Sequence, residues 1–243
     1  MVPIVIDMLN LTPSFKHHWQ TYGFWAPAVN DYKHEKIFDW MDSKEFERLV
    51  EIVEPYQFLE EYKEIPKLLI NGSGDQFFLP DSWRYYWNDL PGESHIAYIP
   101  NAGHGLKKSD APQILLSFYS QIINNVNRPS YSWEVKEDEI IVKTDINNPP
   151  AAIKLWTATN ETTRDFRIDA LGPKWKATNI PFEADGEYSI AIEAPSKGWP
   201  GHFVELTYAG QAPLKFTTGI KVLPETYEHD LYVPEVRKGT PSN

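Results

Sequence analysis

The sequence predicts three regions: an α/β unit over residues 1–129, a β-sandwich over 130–225 and a polar tail over 226–243. Two observations carry this reading. Short apolar runs at Lys67–Asn71 and His95–Pro100 alternate with helical patterns, the grammar of parallel strands joined by crossover helices. After residue 130 short alternating strands recur between turn signals, the grammar of a sandwich.

The elements follow in order. Val2–Ile6 is a β-branched run that reads as a buried parallel strand. It lacks the basic start and cleavage site of a signal peptide. A chain that opens in a core strand suggests that something upstream is missing, and that another chain could supply the absent strands. Residues 11–40, rich in aromatics, His and Pro without a clear period, read as a packed loop within a cap-like segment, 11–55. Asp42 or Ser43 can cap a helix carrying Phe46, Leu49, Val50 and Val53 at helical spacing, stopped by Pro55. Lys67–Asn71 runs into the turn sequence Gly72-Ser73-Gly74-Asp75. Residues 81–88 suit a helix, His95–Pro100 a further strand, and a helix from Asp110 places Ile114, Phe118, Ile122 and Val126 in one row. Eight strands are expected beyond, near 131–136, 139–145, 151–157, 164–169, 175–180, 187–193, 202–208 and 214–223.

Composition narrows the function. Lys+Arg 23 against Asp+Glu 34 gives a net charge of −11, split almost evenly between the two halves. No basic stripe is available for nucleic acid or anionic lipid. No apolar run reaches the ~18 residues of a membrane span. The absence of cysteine excludes disulfides, thiolate metal sites and cysteine nucleophiles. His17, His18, His34 and His95 have no metal-ligand spacing, so neither a metal nor a cofactor is expected.

One constellation carries chemistry. Asp75 follows one strand and His104 the next, so both arrive at the carboxyl ends of adjacent strands, where ligands of open α/β sheets bind. There the acid would fix the imidazole tautomer and the imidazole would act as general base, the back half of an α/β-hydrolase triad. Two plainer readings stand beside it: Asp75 as a turn residue bonding its own backbone, and His104 as a surface loop histidine. Asp7, at the end of the first run, is a rival acid. Trp19, Trp25 and Trp40 could line a pocket or pack a core; Trp156, Trp175 and Trp199 could form a sugar platform or pack the sandwich. Asn10, Asn71 and Asn160 fit the glycosylation pattern, which arises often by chance.

The run from Lys67 to Ser82, KLLINGSGDQFFLPDS, resembles the acid-bearing segment of the PhoPQ-activated pathogenicity-related proteins, an α/β-hydrolase-like family. So do Asp39–Ser43, Leu90–Glu93 and Tyr98–Leu106, and the family also carries a β-rich C-terminal region. The resemblance implies the C-terminal half of an α/β-hydrolase sheet followed by an immunoglobulin/fibronectin-like sandwich. It assigns Asp75 and His104 to a catalytic acid and base, and it suggests a secreted or periplasmic protein. The departure is the nucleophile: no G-x-S-x-G elbow occurs, and Ser73 is not an elbow serine. The chain is therefore expected to be inactive alone as a hydrolase of an unknown small-molecule or peptide ester or amide. The alternative is a non-enzymatic secreted binding or signalling protein on the same scaffold.

Overall fold

The computed structural model describes residues 10–193, 195–210 and 214–242. The run at Val2–Ile6 and the rival acid Asp7 lie outside these residues.

The first segment is helical. Helix α1 spans Leu11–Tyr22 and closes at Gly23, whose φ of 69° lets its N–H return to the Trp19 carbonyl. A short helix α2 (Asn30–His34) follows, then α3 (Lys44–Val53). Ser43 caps α3 by accepting from the Phe46 N–H at 3.1 Å. Residues 11–40 thus hold helices where a loop was expected. Their core is aromatic: Phe15, Trp25, Val29, Phe38, Met41, Phe46 and Val50, with Trp25 stacked on Phe38 at 3.6 Å.

Strand β1 (Lys67–Gly72) pairs in parallel with β2 (Ser94–Ile99), Lys67 opposite Ser94 and Gly72 opposite Ile99. Between them, residues 81–88 form two short 3₁₀ turns instead of one helix, broken at Tyr86 with φ −141°. Helix α4 (Ala111–Ile123) starts with Pro112 in its first turn and buries Ala111, Ile114 and Phe118.

The remaining strands are β3 (Tyr131–Val135), β4 (Glu139–Thr144), β5 (Ala152–Asn160), β6 (Lys176–Asn179), β7 (Glu187–Ala191), β8 (Trp199–Tyr208), β9 (Leu214–Thr217) and β10 (Lys221–Val222). All of their pairings are antiparallel. One sheet runs β3-β4-β7; the other runs β10-β8-β5-β6, with β9 also on β8. The expected strand at 164–169 is a loop leading into a short helix α5 (Ile168–Leu171). The expected strand 214–223 is divided into β9 and β10 at Gly219, where the Trp83 ring lies so close that a Cβ would sit 2.1 Å from it.

The expected fold class is corrected by this topology. Among the described residues β1 and β2 form the only parallel pair, so the structure is mixed and mostly antiparallel, not a parallel α/β-hydrolase sheet. The chain leaves α4 into antiparallel hairpins, and the described residues beyond it add no further parallel strand. β2 then meets β9, with the Tyr98 N–H donating to Thr217 Oγ1 at 3.0 Å. The β-rich part packs on two sides. On one side β5 and β8 share a core with the β3-β4-β7 sheet through Ile140, Val142, Ile153, Val204 and Leu206, joined by Phe118 of α4. On the other, Ala158 and Phe203 pack with Trp83, Tyr86, Ile96 and Tyr98. Alternation along β5 and β8 sends successive side chains into these two cores.

The tail is draped back over the helical segment. Tyr232 packs edge-on against Trp19 and Trp25, with ring centroids 4.6 and 5.0 Å apart. The Lys238 N–H donates to the Asp39 carbonyl, the Lys44 N–H donates to the Thr240 carbonyl, and Ser43 bridges Pro241.

Candidate functional site

The parallel pair positions the site. Where β1 ends, the Ser73 N–H bonds the Ile99 carbonyl and the Gly74 N–H bonds the Ala102 carbonyl. Gly72 lies flat against that second loop; a Cβ on it would sit 2.5 Å from the Ala102 oxygen. The two loops are thereby held together, and each delivers one side chain to the same rim.

Those side chains meet. His104 Nδ1 is 3.1 Å from Asp75 Oδ2 and 3.2 Å from Oδ1. Asp75 Oδ1 also accepts the Phe77 and Phe78 N–H groups at 2.6 and 3.0 Å. The plain reading of Asp75 as a turn residue and its pairing with His104 therefore coexist. The carboxylate is locked by its own loop and aimed at the imidazole. Burial differs sharply: the Asp75 side chain is 3% exposed and the His104 side chain 49%. A carboxylate on Nδ1 holds the proton there and makes Nε2 the basic nitrogen. The His104 N–H donates to Gln76 Oε1 at 3.0 Å, and the Phe77 and Phe78 rings lie 5.7 and 5.5 Å from the imidazole.

Ser73 is fully buried, and its Oγ accepts the Asn101 N–H at 2.9 Å. Its hydroxyl is part of the turn. Trp25 and Trp175 are core residues, Trp175 beside Phe166 and Phe203. Trp156 donates to Glu205 Oε2 at 3.1 Å. The Asn160 amide donates to the Asp165 carbonyl at 2.7 Å, so this acceptor pattern is committed to a loop. Among the described residues no group of three or more His, Asp or Glu could hold a metal ion, and no helix is long and apolar enough to cross a membrane.

Sequence reasoning missed a second His–Asp pair. His17 Nε2 lies 2.7 Å from Asp81 Oδ1, and Arg164 Nη2 lies 2.5 Å from Asp81 Oδ2. Arg84 Nη2 reaches His17 Nδ1 at 3.3 Å and can only donate, so Nδ1 accepts and Nε2–H donates to Asp81. Burial, the largest influence, lowers the His17 pKa against the pull of Asp81. Burial would raise that of Asp81, but Arg164, His17 and Arg84 together hold it well below the carboxylate range. Both side chains are sealed from solvent, so this pair ties α1 to the 75–85 loop and the 160–167 loop and reaches no substrate. Nothing local in the sequence marks it, because its members are far apart along the chain.

The model of the PhoPQ-activated pathogenicity-related protein family matches residues 1–167. The chain belongs to that family. Asp75, His104, Asp81 and Arg164 all fall inside the matched span of this PhoPQ-related chain. It is also 32% identical over 254 residues to autocrine proliferation repressor protein A of Dictyostelium discoideum. That match covers 93% of the chain and 51% of the relative, so the chain spans about half the length of the curated relative it matches. No solved structure matches the chain.

Proposed function

We propose that Asp75 and His104 are the acid and base of a hydrolytic centre for a neutral ester or amide, completed by a hydroxyl nucleophile from another segment or chain. The observation that carries this is the buried, backbone-locked carboxylate set 3.1 Å from Nδ1 of a half-exposed imidazole. In the reaction His104 Nε2 takes the hydroxyl proton as the oxygen bonds the carbonyl carbon. The imidazolium then returns that proton to the departing alcohol or amine. Water, deprotonated by the same Nε2, next attacks the acyl carbon, the acid leaves and the hydroxyl regains its proton, with Asp75 keeping the ring oriented throughout.

Two measurements test it. Nitrogen-15 NMR of the chain at neutral pH should show His104 protonated on Nδ1, and Asp75→Asn should release that preference; protonation on Nε2 in the unaltered chain refutes the pairing. A longer gene product containing this sequence should hydrolyse 4-nitrophenyl esters, with His104→Ala costing about 10⁶-fold and Asp75→Ala about 10⁴-fold, as in serine-protease triads. Turnover that survives His104→Ala refutes the role. The chain alone should neither turn over these esters nor react with a fluorophosphonate.

The relative's name supports a second reading, a non-enzymatic signalling protein on this scaffold. It predicts a longer product that also ignores the fluorophosphonate.

A further inference from the structure

An apolar recess of about 420 Å³ has Phe15, Ile37, Phe46, Leu49, Val53 and Phe77 in its wall, and Phe77 links it to the Asp75–His104 pair. Its volume lies in the range of small-molecule sites, roughly 300–1,000 Å³. Phe77 is shared between the two: it lines the recess, its ring centroid stands 5.7 Å from that of His104, and its N–H bonds Asp75. Glu54, the charged residue at the recess, has both oxygens on the Leu11 N–H at 2.8 and 2.9 Å. That carboxylate is spent on the start of α1. Beside it Tyr32 is the one other polar side chain in the lining, so the chemistry the recess offers is mainly apolar contact.

We infer that this recess holds an aliphatic chain of the substrate, so that the scissile ester or amide carbonyl beside His104 belongs to an acyl group of fatty character. This rests on the hydrolytic reading of Asp75 and His104 and names the substrate class of that site. A net charge of −11 favours a neutral over an anionic form of such a substrate. The helices α1 and α3 then have a role beyond covering a core. α3 buries Phe46 and Val50 against the aromatic cluster and presents Leu49 and Val53 at the mouth.

The test uses the 243-residue chain, which is expected to leave the esters intact. Methyl butanoate, hexanoate, octanoate and decanoate are titrated while methyl resonances of Ile37, Leu49, Val50 and Val53 are followed by NMR. Shifts should centre on these residues, and Kd should tighten about fourfold per added methylene until the recess is filled. An NOE should connect the ester methyl to the His104 ring. Leu49→Arg, at the half-exposed rim, should weaken decanoate binding at least tenfold without unfolding the chain.

A flat chain-length series, shifts centred elsewhere, or binding without the His104 NOE overturns the inference. So do methyl shifts that follow protein concentration instead of ester, which would make a second copy the occupant. Failure of the two readings is distinguishable. Turnover by a longer product with no chain-length preference overturns the recess and spares the pair. Recess binding beside turnover that ignores His104 does the opposite.

Discussion

Removing the carboxylate of Asp81 should be among the most damaging single changes in the molecule. Asp81→Ala leaves the Arg164 guanidinium, 1% exposed, without the oxygen it meets at 2.5 Å, and strips His17 of its acceptor at 2.7 Å. Breaking a buried ion pair from one side costs about 3–5 kcal/mol, because the stranded charge keeps its desolvation penalty. Unfolding entropy of about 2.1 cal/mol/K per residue gives roughly 0.5 kcal/mol/K for this chain, so Tm should fall by about 6–10 °C. Urea unfolding followed by circular dichroism supplies the free energy, and a thermal scan supplies Tm. The second arm is a double-mutant cycle. Asp81→Leu with Arg164→Met removes both charges together and should cost less than the sum of the single changes by at least about 2 kcal/mol. If Asp81→Ala costs less than about 1 kcal/mol, or if the two substitutions simply add, the network does not hold the three segments as described.

Three further outcomes follow from other packing features. Burial lowers the pKa of His18 to about 3 and of His202 to about 4, from an ordinary 6.5. Between those values the unfolded chain takes up protons that the folded chain refuses, so stability should fall by about 2–4 kcal/mol from pH 6.5 to pH 5, and His18→Gln with His202→Gln should flatten that slope. Gly219→Ala drives a methyl into the Trp83 ring, which is itself pinned by its Nε1–H to the Ile220 carbonyl at 2.8 Å; a loss of about 1–3 kcal/mol in denaturant titration is expected. Because Phe203 packs with Trp83, Tyr86, Ile96 and Tyr98, Phe203→Ala should cost about 3–5 kcal/mol and lower one shared calorimetric transition; two resolved transitions in the unaltered chain would contradict a common core.

Parts of this architecture are written locally and parts are not. The Ser43 cap, the parallel run of β1 beside β2 and the arrival of Asp75 and His104 at one rim follow from strings of a few residues. Helix α1 is not legible in the sequence because its buried face includes Ser14, His17, His18 and Thr21, polar side chains that a hydrophobic period does not register. What makes that face a core is its set of partners, such as Asp81 for His17 and the Ala26 N–H for His18. Residues 164–169 look like a strand by composition, but Arg164 is drawn to Asp81 and Arg167 pairs with Asp165, so the backbone turns instead of pairing. The parallel-sheet expectation failed for a related reason. Alternating strands and helices predict neighbours of the same direction only while the alternation continues, and here it stops at α4.

The embrace of the tail around the helical segment has a consequence for synthesis. Trp19 and Trp25 leave the ribosome well before Tyr232, which packs against both of them and follows far along the chain. Until Tyr232 emerges those indoles lack that cover and offer chaperones a sticky surface. A ribosome stalled just short of Tyr232 should therefore display a nascent chain that holdases grip and that lets go once the last turn of the belt is threaded.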